Sequence, residues 1–393
     1  MKLTFLKTLF ISKRSTFIFL FFIISYLFIS SCSSESKGAR VLIKKEINTY
    51  KTTFEMPSKA WVKKTNLVID SFFQKYIYQD DFSGQFLVAK NGHIIYQRVG
   101  GYANKESNWK MSDTTSIHVA SISKVLTATA VLRLVDQNKI RLDEKVSYYL
   151  PDFFYDGITV RMLLNHRSGL PYYAYFTDTI WPKNTILRNK DILPLMRKYS
   201  IPLDHNPGNV FTYCNTNFAF LALIVEAVTK KDFPTVMNEL IFEPLKMKNS
   251  FILKNQDHFN SASQSYMNKG EKWKFTNLDG VYGDKNFFTT AIDLVLFDNA
   301  IYTNFISDSL KRQMFKGYSY EKEGTNNYGL GWRMKEEKEK ETYFYHTAWW
   351  HGSTGIYARL EKEKMTIISL SNNYSKRAYR ISPLILFFGN YPL

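Results

Sequence analysis

Strand-like segments lie at both ends of the globular part of this 393-residue chain, and a mostly helical region separates them. Residues 86–89 and 93–99 have strand composition, and Asn91-Gly92 between them favours a tight hairpin turn. Further strand candidates follow near the other end, at residues 328–333, 343–349, 353–360 and 365–370. Because both groups must share one sheet, the sequence predicts an α+β fold: an antiparallel sheet flanked by helices, with a largely helical subdomain inserted.

Helical periodicity accounts for most of the remaining chain. From residue 61 to residue 78, Ile69, Phe72 and Phe73 fall on one side of a helix, which predicts a buried face. Other predicted helices cover residues 121–138, 161–164, 217–229, 291–301 and 381–388. The last of these is short and apolar, and we expect it to pack on the sheet.

The N-terminal 32 residues have the pattern of a targeting segment. Basic residues precede an apolar run at 16–29, which is short for a membrane span and suited to a signal peptide. Cys32 follows an aliphatic and two small residues, which resembles a bacterial lipobox. We expect a lipoprotein-type signal at 1–32, lipidation of Cys32, a linker at 33–58 and a folded domain at 59–393. A plain secretion signal and an N-terminal membrane anchor are the alternatives.

The predicted location is therefore the bacterial cell envelope, with the body facing the periplasm or exterior. The chain carries a formal charge of +17, but its lysines are scattered and often lie beside glutamates, as at 335–341. That run predicts a solvated hairpin tip, and the dispersed charge with an export signal argues against a nucleic-acid partner. Attraction to anionic envelope polymers or lipid head groups is an alternative reading of the charge. After Cys32 the sequence contains only Cys214, so a lipidated chain has no intrachain disulfide.

The tetrad Ser121-Ile122-Ser123-Lys124 opens an apolar helical stretch. Residues three apart on a helix lie on one face, about one turn apart, so the Ser121 hydroxyl and the Lys124 amine can meet. A serine needs an adjacent base to act as a nucleophile, and a desolvated lysine can be that base. The alternative is an ordinary helix start capped by Ser121.

Two further segments strengthen the nucleophile interpretation: Tyr213-Cys214-Asn215, after Pro207-Gly208, and His346-Thr347-Ala348 on a predicted strand. With the tetrad they resemble the serine β-lactamase and penicillin-binding protein superfamily, and within it the class C-like serine hydrolases. Members have S-x-x-K, Y-x-N and a third motif, K-T-G or H-x-G, in this order. Segments 163–171, 242–247 and 328–332 also resemble this family, and the likeness spans about residues 65–390.

The resemblance implies a β-lactamase/transpeptidase-like fold and a role for each motif. Ser121 would form an acyl-enzyme, with Lys124 and Tyr213 as the general base pair. Asn215 would bridge Lys124 and the substrate, and His346 and Thr347 would bind substrate along the strand. Backbone N–H groups of Ser121 and Trp349 would form the oxyanion hole.

Some assignments within the motifs stay open. His351-Gly352 is a second candidate for the third motif, although we favour His346. Ala348 stands where the family pattern has glycine, and its methyl could crowd a substrate. Cys214 is expected to pack rather than react, and His166 with Arg167 to stabilise a turn.

We therefore expect a serine hydrolase that cleaves an ester or amide bond, with a D-amino-acid peptide derived from peptidoglycan as one candidate substrate. No metal or organic cofactor is expected, because the histidines lack metal-ligand spacing and no phosphate-binding glycine loop is present. A class C-type β-lactamase and a DD-carboxypeptidase are alternatives, as is a catalytically silent peptidoglycan sensor. A neutral histidine in the third motif supplies less charge for a substrate carboxylate than lysine, which favours an esterase, peptidase or amidase.

Overall fold

Aromatic residues of the predicted linker pack against the folded domain. The computed structural model describes residues 50, 52–78, 82–253, 261–267 and 270–393. The predicted signal segment and lipidated Cys32 lie outside these residues. The ring of Tyr50 packs 4.8 Å from that of Phe305, and Phe54 packs 5.3 Å from Tyr302. These contacts hold Tyr50 and Phe54 of the predicted linker against the domain, and the boundary at residue 58 stays a prediction.

A membrane-spanning helix is not found in the part of the chain that the structure describes, where no helix has the necessary length and apolarity. Within the same residues, seven strands form one antiparallel sheet: β1 Gly84–Lys90, β2 His93–Gly100, β8 Asn326–Tyr328, β9 Arg333–Lys335, β10 Tyr343–Trp350, β11 Ser353–Leu360 and β12 Met365–Ser371. Their order in the sheet is β2-β1-β12-β11-β10-β9-β8. The register between β1 and β12 runs from Gly84 opposite Ser371 to Lys90 opposite Met365. The two ends of the domain thus share one sheet, as predicted.

Short strands outside this sheet form two small sheets. One pairs β3 (Tyr102–Asn104) with β4 (Trp109–Lys110), and the other contains β5 (Ile117–His118), β6 (Phe251–Ile252) and β7 (Phe287–Thr289). Strand β5 leads directly into the Ser121 segment. The pairing of β5 with β7 therefore fixes the position of the chain directly before Ser121.

The turn chemistry confirms one prediction and corrects another. Asn91 and Gly92 both have positive φ, 55° and 75°, as a two-residue hairpin turn requires. The single strand predicted at 328–333 is wrong, because β8 and β9 are two strands separated by a tight turn. Gly331 has φ of +83°, and a Cβ there would lie 2.3 Å from the Cβ of Ala128. The chain must turn at that point to pack against the helix that follows Ser121.

Helices cover both faces of the sheet. They are α1 Lys59–Phe72, α2 Ser123–Asp136, α3 Val146–Tyr149, α4 Val160–Leu164, α5 Tyr173–Ile180, α6 Asn189–Lys198, α7 Asn215–Thr229, α8 Phe233–Met237, α9 Ala291–Ile301, α10 Asp308–Met314 and α11 Ser382–Phe388. Alternation along β1 sends Phe86 and Val88 into the core beneath α1 and α11, and Leu87 and Ala89 into the core shared with α2, α7 and α9. This second, larger core holds the elements that carry the three motifs.

Candidate active site

Ser121 and Lys124 are in contact at the start of α2. Ser121 lies in a single 3₁₀ turn, Ala120–Ile122, directly before the helix. Ala120 has φ of +43°, a strained conformation for a residue with a side chain, and such strain is concentrated at functional sites. Lys124 Nζ donates a hydrogen bond of 3.0 Å to Ser121 Oγ. The predicted nucleophile and base are thus within hydrogen-bond reach.

The Lys124 side chain is fully buried, and its second hydrogen bond goes to a neutral acceptor. Nζ donates to the backbone carbonyl of Asp284 at 2.8 Å. Within the described residues, no carboxylate forms a salt bridge with Lys124. Lys124 Nζ is thus held between the Ser121 hydroxyl and a carbonyl oxygen.

Tyr213 is on the loop before α7, and two basic side chains lie close to its ring. Lys124 Nζ is 5.1 Å from the centre of its ring, and the Arg333 guanidinium carbon is 4.5 Å from the same centre. The ring of His166 packs 4.4 Å away. Basic side chains from two elements, α2 and β9, therefore meet at the Tyr213 ring.

Arg333 is a site residue that sequence reasoning missed. It is half-buried on β9, opposite Tyr345 of β10, and its Nε has no hydrogen-bond partner. No carboxylate in the described part of the chain pairs with it. The sequence placed Arg333 at the end of a longer strand. Only the pairing of β9 with β10 brings it beside the third motif.

His346 is fully buried on β10, and its ring centre lies 6.1 Å from that of Tyr213. Nδ1 lies 2.9 Å from the Thr347 carbonyl, which can only accept, so Nδ1 carries the proton. Nε2 then accepts a hydrogen bond of 3.3 Å from the Tyr328 hydroxyl. Burial, with the charges of Arg333 and Lys124, holds the pKa of His346 well below its ordinary value. His346 is therefore neutral, and both of its nitrogens are bonded within the protein.

The competing histidine, His351, binds elsewhere. Its Nε2 lies 3.0 Å from both carboxylate oxygens of Asp279, and its ring packs between Trp273 and Trp350. The structure thus brings His346, and not His351, to Tyr213.

Asn215 departs from its expected contact. Its Nδ2 donates to the Tyr172 hydroxyl at 3.0 Å, whereas its Oδ1 is buried with no hydrogen-bond partner among the described residues. The expected bridge from Lys124 to Asn215 is absent, because Lys124 Nζ is directed to Ser121 and the Asp284 carbonyl. The unpaired Oδ1 leaves an acceptor beside the Tyr213 loop.

Comparison with known proteins identifies the group of proteins to which this site belongs. The model of the family described as Beta-lactamase matches residues 69–386. The chain belongs to the Beta-lactamase family. It is 28% identical over 328 residues to penicillin-binding protein 4* of Bacillus subtilis (strain 168), covering 79% of this chain and 72% of that protein. The resemblance to penicillin-binding proteins is therefore confirmed, and the chain is a β-lactamase-fold serine hydrolase.

Solved structures share the family fold. A penicillin binding protein from Bacillus halodurans superposes with a TM-score of 0.72 at 23% identity, covering 81% of this chain and 99% of that one. The D-amino acid amidase from Ochrobactrum anthropi SV3 superposes with a TM-score of 0.66 at 21% identity, covering 81% and 96%. These likenesses confirm the predicted α+β, β-lactamase/transpeptidase-like fold.

In this Beta-lactamase family member, β10 carries the third motif and lies against the turn that contains Ser121. Strand β10 pairs with β9 only as far as Tyr345, and β10 also packs against the Ala120–Ile122 turn. Ala348 is 1% exposed and belongs to the hydrophobic core, so its methyl is not the obstacle to substrate that the sequence suggested. Thr347 is half-buried on this strand. An oxyanion hole formed by the N–H groups of Ser121 and Trp349 stays a prediction.

His166 supports the Tyr213 loop as well as its own turn. With φ of +58°, it places Nδ1 to accept from the Cys214 N–H at 3.1 Å and from Asn217 Nδ2 at 3.0 Å. Arg167 binds the Gly208 carbonyl and forms an ion pair of 2.8 Å with Glu321. Burial raises the pKa of the Cys214 thiol to about 11, so this cysteine is kept as an unreactive thiol.

Acid sensitivity follows from three buried histidines. Burial lowers the pKa of His118 to about 4 and holds those of His166 and His346 well below the ordinary value. Each takes up a proton on unfolding at pH values where the folded protein excludes it. The contribution of these histidines to the free energy of unfolding is therefore fully present above about pH 6.5 and is lost as the pH falls. For His118 the loss at pH 4 is about 3 kcal/mol.

This decrease is measurable as a lower urea midpoint at pH 5.0 than at pH 7.5. We expect the difference to shrink in His118→Asn, because one buried proton acceptor is removed. An equal midpoint at both pH values in the unmodified protein would contradict the neutral, buried state of these histidines.

Proposed function

We propose that this protein is a cell-envelope hydrolase that cleaves an ester or amide bond through an acyl-enzyme on Ser121. The hydrogen bond between Lys124 Nζ and Ser121 Oγ, with Tyr213 beside it, is the observation that carries the proposal. The apolar run at 16–29 and the lipobox-like Cys32 support a lipid anchor that places the body outside the cytoplasm. The substrate class is inferred from the charges around Tyr213.

The reaction begins when Ser121 Oγ attacks the carbonyl carbon and its proton passes to the Lys124–Tyr213 pair. The carbonyl oxygen becomes an oxyanion, which the N–H groups of Ser121 and Trp349 stabilise. Collapse expels an amine or alcohol that takes the proton, leaving an ester on Ser121. Water then attacks this ester, gives its proton to the same pair, and the acid and the Ser121 hydroxyl are released.

A carboxylate in the substrate is indicated by Arg333. His346 is neutral, so it does not supply the charge that a lysine gives in other third motifs. Arg333 stacks over Tyr213 and has no carboxylate partner among the described residues, so it can bind an anion there. We infer that the substrate is a short peptide or amide that ends in a carboxylate close to the scissile bond.

The relatives support an amide or peptide substrate of this kind. Penicillin-binding proteins and a D-amino acid amidase share the family or its fold. A peptide ending in D-alanine combines a D-configured amide with a terminal carboxylate. Arg333 therefore favours DD-carboxypeptidase activity as the specific form of the proposal, with β-lactam hydrolysis as a second reaction of the same site.

Arg333→Gln tests this substrate class. A charged hydrogen bond contributes about 1.5–3 kcal/mol, so we expect kcat/KM for an acyl-D-alanyl-D-alanine peptide to fall about 10- to 100-fold. The same peptide with an amidated C-terminus should lose less than about threefold, because it has no carboxylate to bind. Arg333→Lys is the matched control and should keep part of the preference. Equal losses on the acid and the amide would contradict carboxylate recognition by Arg333.

A substrate panel tests the wider proposal. p-Nitrophenyl acetate, D-phenylalanine amide, nitrocefin and the D-alanyl-D-alanine peptide represent an ester, an amide, a β-lactam and a peptide. We expect hydrolysis of at least the ester, and a preference for the peptide acid over its amide. No hydrolysis of any member by the folded protein would favour the silent sensor.

A further inference from the structure

We propose that Asp279 is a positioning residue for acylation, which ties the end of β10 to the segment that holds Lys124. This inference rests on the proposed function, because it assigns a role within the same reaction. Asp279 does not touch Ser121 or Lys124. It connects the two structural elements on which their geometry depends.

The Asp279 carboxylate is 4% exposed and binds groups on both elements. On the β10 side, Oδ1 accepts from Trp350 Nε1 at 2.7 Å and from His351 Nε2 at 3.0 Å. On its own segment, Oδ2 accepts from the backbone N–H of Thr276 at 2.6 Å and from its hydroxyl at 3.0 Å. A buried carboxylate with this many donors has one orientation, so it holds these groups at fixed separations.

The segment from Thr276 to Asn286 is the part that positions Lys124. The Asp284 carbonyl accepts from Lys124 Nζ at 2.8 Å, and the Gly283 carbonyl accepts from Thr127 Oγ1, also at 2.8 Å. Asn286 Nδ2 donates to the Asp279 carbonyl at 2.6 Å, which closes the segment on itself. A displacement of Asp279 is therefore passed to the acceptor that orients the lysine.

The end of β10 is the part that positions Trp349. Trp350 and His351, both bound by Asp279, directly follow Trp349, whose N–H is the expected oxyanion donor. His351 has φ of +52°, and its ring packs 4.7 Å from the rings of Trp273 and Trp350. Gly352 lies against Tyr266, whose backbone would be 2.2 Å from a Cβ at that position. The turn after Trp349 is thus held on two sides.

Charge reinforces the connection. Burial alone would raise the pKa of Asp279, but hydrogen bonding and attraction from His351 hold that pKa at about 2. The carboxylate is therefore ionised at neutral pH. Since misplacement of reacting groups by about 1 Å can lower a rate about 100-fold, we expect loss of this ion to be visible in kcat.

Asp279→Asn keeps the size of the side chain and removes its charge and one acceptor. We expect kcat for p-nitrophenyl acetate to fall about tenfold or more, with KM within about threefold, and the rate of fluorophosphonate labelling of Ser121 to fall in parallel. Rates are expressed per labelled site, so a smaller folded fraction does not affect them. Trp350→Phe removes only the indole donor and should lower kcat about threefold. If Asp279→Asn does not fold, this variant tests the positioning role instead, and an unchanged kcat would overturn it.

Asp298→Asn is the matched control. Asp298 is an equally buried carboxylate that accepts from the Tyr357 and Thr366 hydroxyls and lies 3.0 Å from Arg359 Nε. We expect it to lower the melting temperature while kcat per labelled site stays within about twofold. Unchanged kcat in Asp279→Asn, or an equal loss in Asp298→Asn, would overturn the positioning role. Inactivity of the unmodified protein would instead contradict the proposed function.

Discussion

Ser121→Ala is expected to reduce hydrolysis of every productive substrate to the background rate, a loss of at least about 10⁴-fold in kcat. The alanine variant lacks the oxygen that forms the acyl-enzyme, while the 3₁₀ turn and α2 keep their packing. The measurement is steady-state hydrolysis of p-nitrophenyl acetate and of the D-alanyl-D-alanine peptide, with the melting temperature recorded for each variant.

The tetrad supplies a matched control in Ser123→Ala. Ser123 is fully buried two residues further on, and its hydroxyl has no hydrogen-bond partner among the described residues. Removing an unsatisfied buried hydroxyl is close to neutral for stability, so we expect activity within about twofold of the unmodified protein. Full activity in Ser121→Ala, or an equal loss in both variants, would contradict the assignment of the nucleophile.

Lys124→Met is expected to lower kcat about 10²- to 10⁴-fold, the range that general acid–base catalysis contributes. The methionine fills the buried space but cannot exchange a proton with Ser121 Oγ or donate to the Asp284 carbonyl. The rate of fluorophosphonate labelling should fall by a similar factor, because the same proton leaves Ser121 when the probe reacts.

Lys124→Arg separates charge from proton transfer. Arginine keeps the positive charge next to Tyr213 but stays protonated, so it cannot act as a base. We expect this variant to be about as slow as Lys124→Met. A rate close to that of the unmodified protein would show that Lys124 acts only through its charge, with Tyr213 as the sole base.

The elements with strong local patterns were predictable from the sequence. Residues 291–301 and 353–360 form α9 and β11 with the predicted bounds, because both are largely buried segments whose ends are marked locally, the helix by its Thr290 cap. Ser121, Lys124, Tyr213 and His346 lie near one another, as the family resemblance implied, and their catalytic roles stay predictions.

The contributions of Arg333 and Asp279 could not be read from local sequence. Arg333 reaches Tyr213 only because β9 pairs with β10, and the break between β8 and β9 is set by the close approach of Gly331 to α2. Asp279 acts on residues more than seventy positions away. Asn215 departed from its expected contact because the Asp284 carbonyl, on another distant segment, takes the Lys124 hydrogen bond.

Intact-protein mass spectrometry after exposure to a fluorophosphonate tests the central claim most directly. The account predicts one phosphonyl group per molecule, located by peptide mapping to Ser121, present in Ser123→Ala and absent from Ser121→Ala. The absence of any adduct on the folded protein, or an adduct that persists in Ser121→Ala, would contradict an activated nucleophile at Ser121.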